Sequence, residues 1–127
     1  MAVEMKRIYV IEDDINERVN LRLVLSGLPV QVIFDTWGYD TLRQMQDHAP
    51  LDLILLDIST DRAADQYASI RAVEAFRDTP TAALSQAATL DIIDCCRTYG
   101  LVGLLLKPVD AGLADAITRL LNGESLW

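Results

Sequence analysis

Apolar and polar positions along this chain fall into blocks of two kinds. Lys6 to Ile11, Val30 to Phe34, Leu51 to Asp57, Thr81 to Leu84 and Val102 to Leu106 are short apolar or small-residue runs. Runs of that length, bounded by polar or turn residues, predict strands. Between them apolar residues recur at helical spacing. Val19, Leu21, Leu23, Val24 and Leu25 follow Asp14, which with Glu17 three residues on is placed to cap a helix. Leu42 and Met45 lie in a helix from about Tyr39 to Asp47, stopped at Ala49-Pro50. Tyr67, Ile70, Val73, Ala75 and Phe76 follow a polar loop, Ser59 to Asp65, and precede a break at Asp78-Thr79-Pro80. Leu90, Ile92, Ile93 and Cys96 mark a helix from about Ala87 to Tyr99, with Gly100 as its stop. Leu113, Ala116, Ile117, Leu120 and Leu121 mark a last helix begun by Asp110. The apolar stripes are read as core. Strand and helix alternating in this way predict an α/β fold, a doubly wound five-stranded parallel sheet with five helices.

The third strand carries the chemistry. Leu53 to Leu56 is apolar throughout and ends in Asp57, as expected of a strand buried on both faces. Ligands of such sheets collect at the carboxyl ends of the strands. Asp57 there is a nucleophile, a metal ligand or a helix cap.

Composition narrows the choice. The chain has 127 residues, 51% hydrophobic and 24% charged, with a formal charge of −8. That length predicts a single domain, residues 1–127 with a core of about 6–122. The acidic balance argues against direct binding of nucleic acid, which needs basic patches; it suits divalent cations and basic partner surfaces. Met1 to Arg7 is mixed in polarity, unlike a signal peptide, and no apolar run approaches a membrane span. The adjacent Cys95 and Cys96 form neither a bridge nor a zinc site on spacing, so free thiols in a cytoplasmic protein are expected. His48, before Pro50, is read as a surface residue; Trp37 and Trp127 acquire no role.

Three further strands also end in reactive groups: Glu12-Asp13 after the first, Ser85 after the fourth and Lys107 after the fifth. In a doubly wound sheet all share one crevice with Asp57. Three carboxylates together require compensating positive charge, which Lys107 and a hard cation such as Mg²⁺ would supply. A positioned carboxylate, a hydroxyl and cations are what phosphoryl transfer to Asp57 needs.

Glu12-Asp13, Asp57, Ser85 and Lys107-Pro108, in that order and spacing, resemble the receiver domains of two-component response regulators (the CheY-like family, of flavodoxin-like architecture). The resemblance runs from Lys6 to about Asn122. It implies a signalling phosphoacceptor rather than an enzyme, with Asp57 accepting a phosphoryl group from a histidine kinase or phosphotransfer protein. It implies Mg²⁺ held by Asp13, Asp57 and the backbone carbonyl of Ser59, with Glu12 acting through water. Ser85 would follow the phosphoryl group and Lys107 would contact it, and Lys107-Pro108 would be a cis peptide. The signal would pass by protein contact, to a downstream target or a fused output domain, over roughly Ala87 to Leu121; a homodimer is compatible with this. The chain also departs from the family. Asp61 and Asp65 stand where Pro and Gly are usual, in a loop that reads as shortened, and Leu104 replaces the usual Tyr or Phe. Ser59 and Ala87 occupy the positions that tune loss of the phosphoryl group. These departures keep open a pseudo-receiver, a binding module without productive phosphotransfer. A phosphohydrolase of the aspartyl-nucleophile type is disfavoured, since Ser59 stands where its general acid Asp would be.

Overall fold

The computed structural model describes residues 5–127; the first four residues of the Met1 to Arg7 stretch lie outside them. Five parallel strands form one sheet in the order β2-β1-β3-β4-β5. They are β1 (Lys6–Ile11), β2 (Val30–Asp35), β3 (Leu53–Asp57), β4 (Thr81–Ser85) and β5 (Leu104–Leu106). The helices between them are α1 (Ile15–Leu25), α2 (Thr41–Asp47), α3 (Ala63–Ala72), α4 (Leu90–Tyr99) and α5 (Gly112–Leu121), with a short 3₁₀ turn at Glu74–Phe76. Every residue of β3 and β4 is buried, because both are covered on two faces. Alternate residues therefore feed two cores. Leu53 and Leu55 pack with Leu21, Leu25 and Ile117 on one side; Ile54 and Leu56 pack with Met45, Ile70 and Phe76 on the other.

The predicted fold class stands, with local corrections. The polar loop expected to reach Asp65 gives way to helix at Ala63, so Asp65 lies in the first turn of α3, where its carboxylate suits the helix dipole. Asp14 caps α1 by accepting from Asn16 N at 2.8 Å, but Glu17 does not close the capping box; its Oε2 is buried with no hydrogen-bond partner among the described residues. α4 starts later than expected, because Thr89 caps it by accepting from Ile92 N. Gly100 ends it at φ 87°, a left-handed conformation that glycine tolerates. Not every apolar stripe is core: Ile15, Val19 and Leu23 line the outer face of α1, and Leu90 is exposed on the first turn of α4. On α1 the inward positions are Leu21 and Leu25, four apart, which leaves the other set facing away. His48 is half-buried, its Nδ1 2.9 Å from the Gln44 carbonyl and its ring beside Tyr9. Cys96 is buried and Cys95 exposed, both as free thiols.

Trp127 acquires a place. Its indole Nε1 donates to the Leu101 carbonyl at 2.7 Å, and Arg97 of α4 lies over its ring. Beside it Leu126 N donates to the Val102 carbonyl at 2.8 Å, and the Leu126 side chain covers Gly103. A β-carbon at Gly103 would stand 3.0 Å from that of Leu126. The tail thus packs closely on the approach to β5, where a side chain at residue 103 would push Leu126 back by a few tenths of an ångström.

In β1 the buried Tyr9 hydroxyl donates to Asp35 Oδ2 at 2.5 Å, joining β1 to the end of β2. Burial first, and then the bond and charge of Asp35, hold its pKa well above the ordinary 10.0. A folded-state pKa that is raised contributes stability below the unfolded value and loses it as pH rises through the folded one. Denaturant unfolding of the wild type should therefore show stability falling above about pH 10. Tyr9→Phe should flatten that fall, and an unchanged alkaline limb would remove Tyr9 as its source.

Candidate functional site

Parallel pairing brings the four reactive strand ends to one edge of the sheet. Ile11 is level with Leu56, so Glu12 follows alongside Asp57; Asp57 is level with Leu84, and Ser85 with Leu106. Lys107 then extends from β5, its backbone N donating to the Ser85 carbonyl at 2.8 Å. Lys107 Nζ lies 3.1 Å from Glu12 Oε2 and 3.2 Å from Asp57 Oδ1. Their side chains are 3% (Lys107), 1% (Glu12) and 9% (Asp57) exposed, so the three charges meet out of water. Burial opposes the Lys107 charge, but the bonds and charges of Glu12 and Asp57 outweigh it and raise its pKa. Burial also raises the pKa of Glu12, against its bonds from Asp14 N and Lys107.

The two oxygens of Asp57 are used differently. Oδ1 accepts from Ser59 N at 2.9 Å, Ser59 Oγ at 2.7 Å and Lys107 Nζ. Oδ2 accepts from no protein group among the described residues. Asp57 lines a pocket of about 160 Å³ with Ile11, Asp13, Trp37, Thr60, Arg62 and Gln66. The carboxylate is therefore held by one oxygen while the pocket reaches the residue.

The expected site residues divide into two groups. Glu12, Asp57 and Lys107 are in direct contact, and Asp13 shares the Asp57 pocket. Ser85 stands at the end of the neighbouring strand, but its hydroxyl is closed on its own loop, donating to the Ala87 carbonyl at 2.8 Å and accepting from Ala87 N at 3.1 Å. Lys107-Pro108 is cis, as expected, and Ala49-Pro50 is cis as well. Leu104 is half-buried against the core on the α3 side. Trp37, Arg62 and Gln66 were not anticipated. Trp37 follows the carboxyl end of β2, so the rule that selected the other strand ends would have found it. Arg62 is the one cation in the polar loop; Gln66 gives no sequence signal.

The donors suit a hard cation in part. Asp13 and Asp57 present two carboxylates to a pocket with room for water, a mode Mg²⁺ commonly accepts. Glu12 is committed to Lys107 and Asp14 N, and among the described residues no three acidic, His or Cys side chains surround a common point.

The fold has many solved counterparts. A response regulator from Desulfuromonas acetoxidans superposes with a TM-score of 0.82 at 20% identity, covering 96% of this chain and 99% of that one. The chemotaxis protein CheY4 of Vibrio cholerae, crystallised at low pH, gives 0.80 at 20% identity over 91% of this chain and 98% of its own. This chain has the receiver fold. The receiver domain of the sensor histidine kinase PA1611 from Pseudomonas aeruginosa, described with magnesium coordinated in its active-site cleft, gives 0.75 at 23% identity over 95% and 100%. No family model matches the sequence, and no curated protein matches it. The receiver fold is therefore visible in the backbone where sequence likeness has faded. No helix among the described residues is long and apolar enough to cross a membrane.

Proposed function

We propose that this receiver-fold chain is a phosphoacceptor: Asp57 takes a phosphoryl group in a Mg²⁺-dependent reaction, and the change is read by protein contact. The observation that carries the reading is the division of labour within Asp57. Ser59 and Lys107 hold Oδ1, which leaves Oδ2 as the attacking atom. As the Oδ2–P bond forms, the bond from phosphorus to the donor's leaving group breaks, and that group departs with the electron pair. Lys107 neutralises charge beside the reacting carboxylate, and Glu12 holds the ammonium in place. Asp13, Asp57 and the Ser59 carbonyl would hold Mg²⁺, which supplies positive charge against the phosphoryl oxygens when bound. The donor in this reading is a histidine kinase or phosphotransfer protein, and the recipient of the signal a downstream protein or fused output domain.

A pseudo-receiver is the second reading. It is favoured by Ser85, whose hydroxyl is closed on Ala87, and by Leu104, which offers no aromatic ring to couple to it. Incubation with Mg²⁺ and acetyl phosphate, followed by intact-mass measurement, separates the two. The expected result is one added phosphoryl group, absent when EDTA removes the metal. A mass that never changes would favour the pseudo-receiver.

A further inference from the structure

We infer that Arg62 is a second side-chain cation for the phosphoryl group, set in the wall of the Asp57 pocket and strengthening binding of the donor. The inference rests on Asp57 being the phosphoacceptor. It begins with charge. Glu12, Asp13 and Asp57 place three carboxylates at the strand ends against the ammonium of Lys107, the nearby Arg18 guanidinium being committed to the Glu12 carbonyl and Thr36 Oγ1. That ammonium is already divided between Glu12 and Asp57. The protein groups around an arriving phosphoryl dianion are therefore net acidic, on a chain of charge −8, and bound Mg²⁺ would offset only part of that. Arg62 is the one basic residue in the pocket wall.

Its guanidinium is uncommitted. Arg62 is exposed, and among the described residues its guanidinium enters no hydrogen bond and no salt bridge, although Asp61 is its neighbour and Asp65 lies one turn on, so it is free to turn to a ligand in the pocket. Nor does helix stability account for it. Arg62 occupies the N-cap position of the ten-residue α3 and makes no side-chain cap bond. Caps at that position are usually side-chain oxygens, and the positive end of the helix dipole disfavours a cation there. A planar fork of N–H donors matches phosphate oxygens two at a time, which an ammonium does not. Gln66 lines the same pocket one turn along α3 and adds an amide.

In the transfer from acetyl phosphate, Oδ2 bonds to phosphorus as the P–O bond to acetate breaks and acetate leaves with the electron pair. No proton is needed on either side. Arg62 binds the equatorial oxygens of the group being moved and leaves the nucleophile untouched, so its loss should act on donor binding more than on the saturated rate.

The test measures labelling rates with Mg²⁺ and varied acetyl phosphate for wild type, Arg62→Ala, Arg62→Gln and Arg62→Lys. Far-UV circular dichroism and denaturant unfolding of each check the fold. Arg62→Ala and Arg62→Gln should raise the half-saturating donor concentration about tenfold and change the saturated rate less than about threefold. Arg62→Lys should fall between, keeping the charge without the fork. High salt should narrow the gap between wild type and Arg62→Ala. Half-saturation within about twofold of wild type in both neutral variants overturns the inference while the acceptor reading stands. If wild type itself takes no label, the acceptor reading fails and Arg62 loses its role with it.

Discussion

Asp57→Asn should abolish phosphoryl labelling and leave the fold in place. The amide retains an oxygen able to accept from Ser59 N and Oγ, the contacts that now hold Oδ1. What it lacks is the anionic second oxygen, the attacking atom in this reading. The neutral amide also reduces repulsion with Glu12, since the charge of Asp57 opposes ionisation of that buried acid. The unfolding free energy from denaturant titration should therefore stay within about 1 kcal/mol of wild type, while intact mass after acetyl phosphate stays unchanged. Label persisting in the variant would transfer the nucleophile to another group. Asp13 is the first to examine, because it lines the same pocket, and peptide mapping would identify it.

Lys107→Met should be the most destabilising single change at the site. Among the described residues it removes the one cation paired with two carboxylates whose side chains are 1% and 9% exposed. Breaking a buried ion pair from one side costs about 3–5 kcal/mol, because the remaining charge has neither water nor partner. The lower end applies here, since the pocket reaches Asp57. Adding Glu12→Gln to Lys107→Met should recover a substantial part of the loss, as the amide tolerates burial better than an unpaired carboxylate. Urea unfolding of the two single variants and the double variant measures the coupling. A Lys107→Met loss below about 1 kcal/mol would mean that water reaches the triad and that the buried contact contributes little.

Much of this arrangement was legible because it depends on strand ends, and strand ends are marked by abrupt changes from apolar to polar residues. Leu53 to Leu56 followed by Asp57 is such a boundary, and Glu12-Asp13 after Ile11 is another. Once the sheet is parallel, these groups must share an edge, so the approach of Lys107 to Glu12 and Asp57 follows from topology. Side-chain choices made after the boundary were not legible. Ser85 could turn toward Asp57 or toward its own loop, and the Ala87 backbone offers both a donor and an acceptor two residues away. Glu12 bonds the lysine instead of standing open, a preference set by burial that its position in the chain does not encode. The start of α3 at Ala63 was hidden because Arg62 gives none of the usual cap signals. Val19 and Leu23 misled for a different reason. Helical spacing identifies two opposite apolar faces on α1 equally well, and only the sheet decides which one is covered.

The two borders of the sheet are guarded unequally. On the β5 side the strand has three residues, and the backbone N of Leu126 already occupies the Val102 carbonyl, two residues before it. On the other side β2 offers six residues with a strand neighbour along one flank only. Unpaired strand flanks act as templates for further pairing. A further strand would therefore find more backbone to pair with on β2 than on β5.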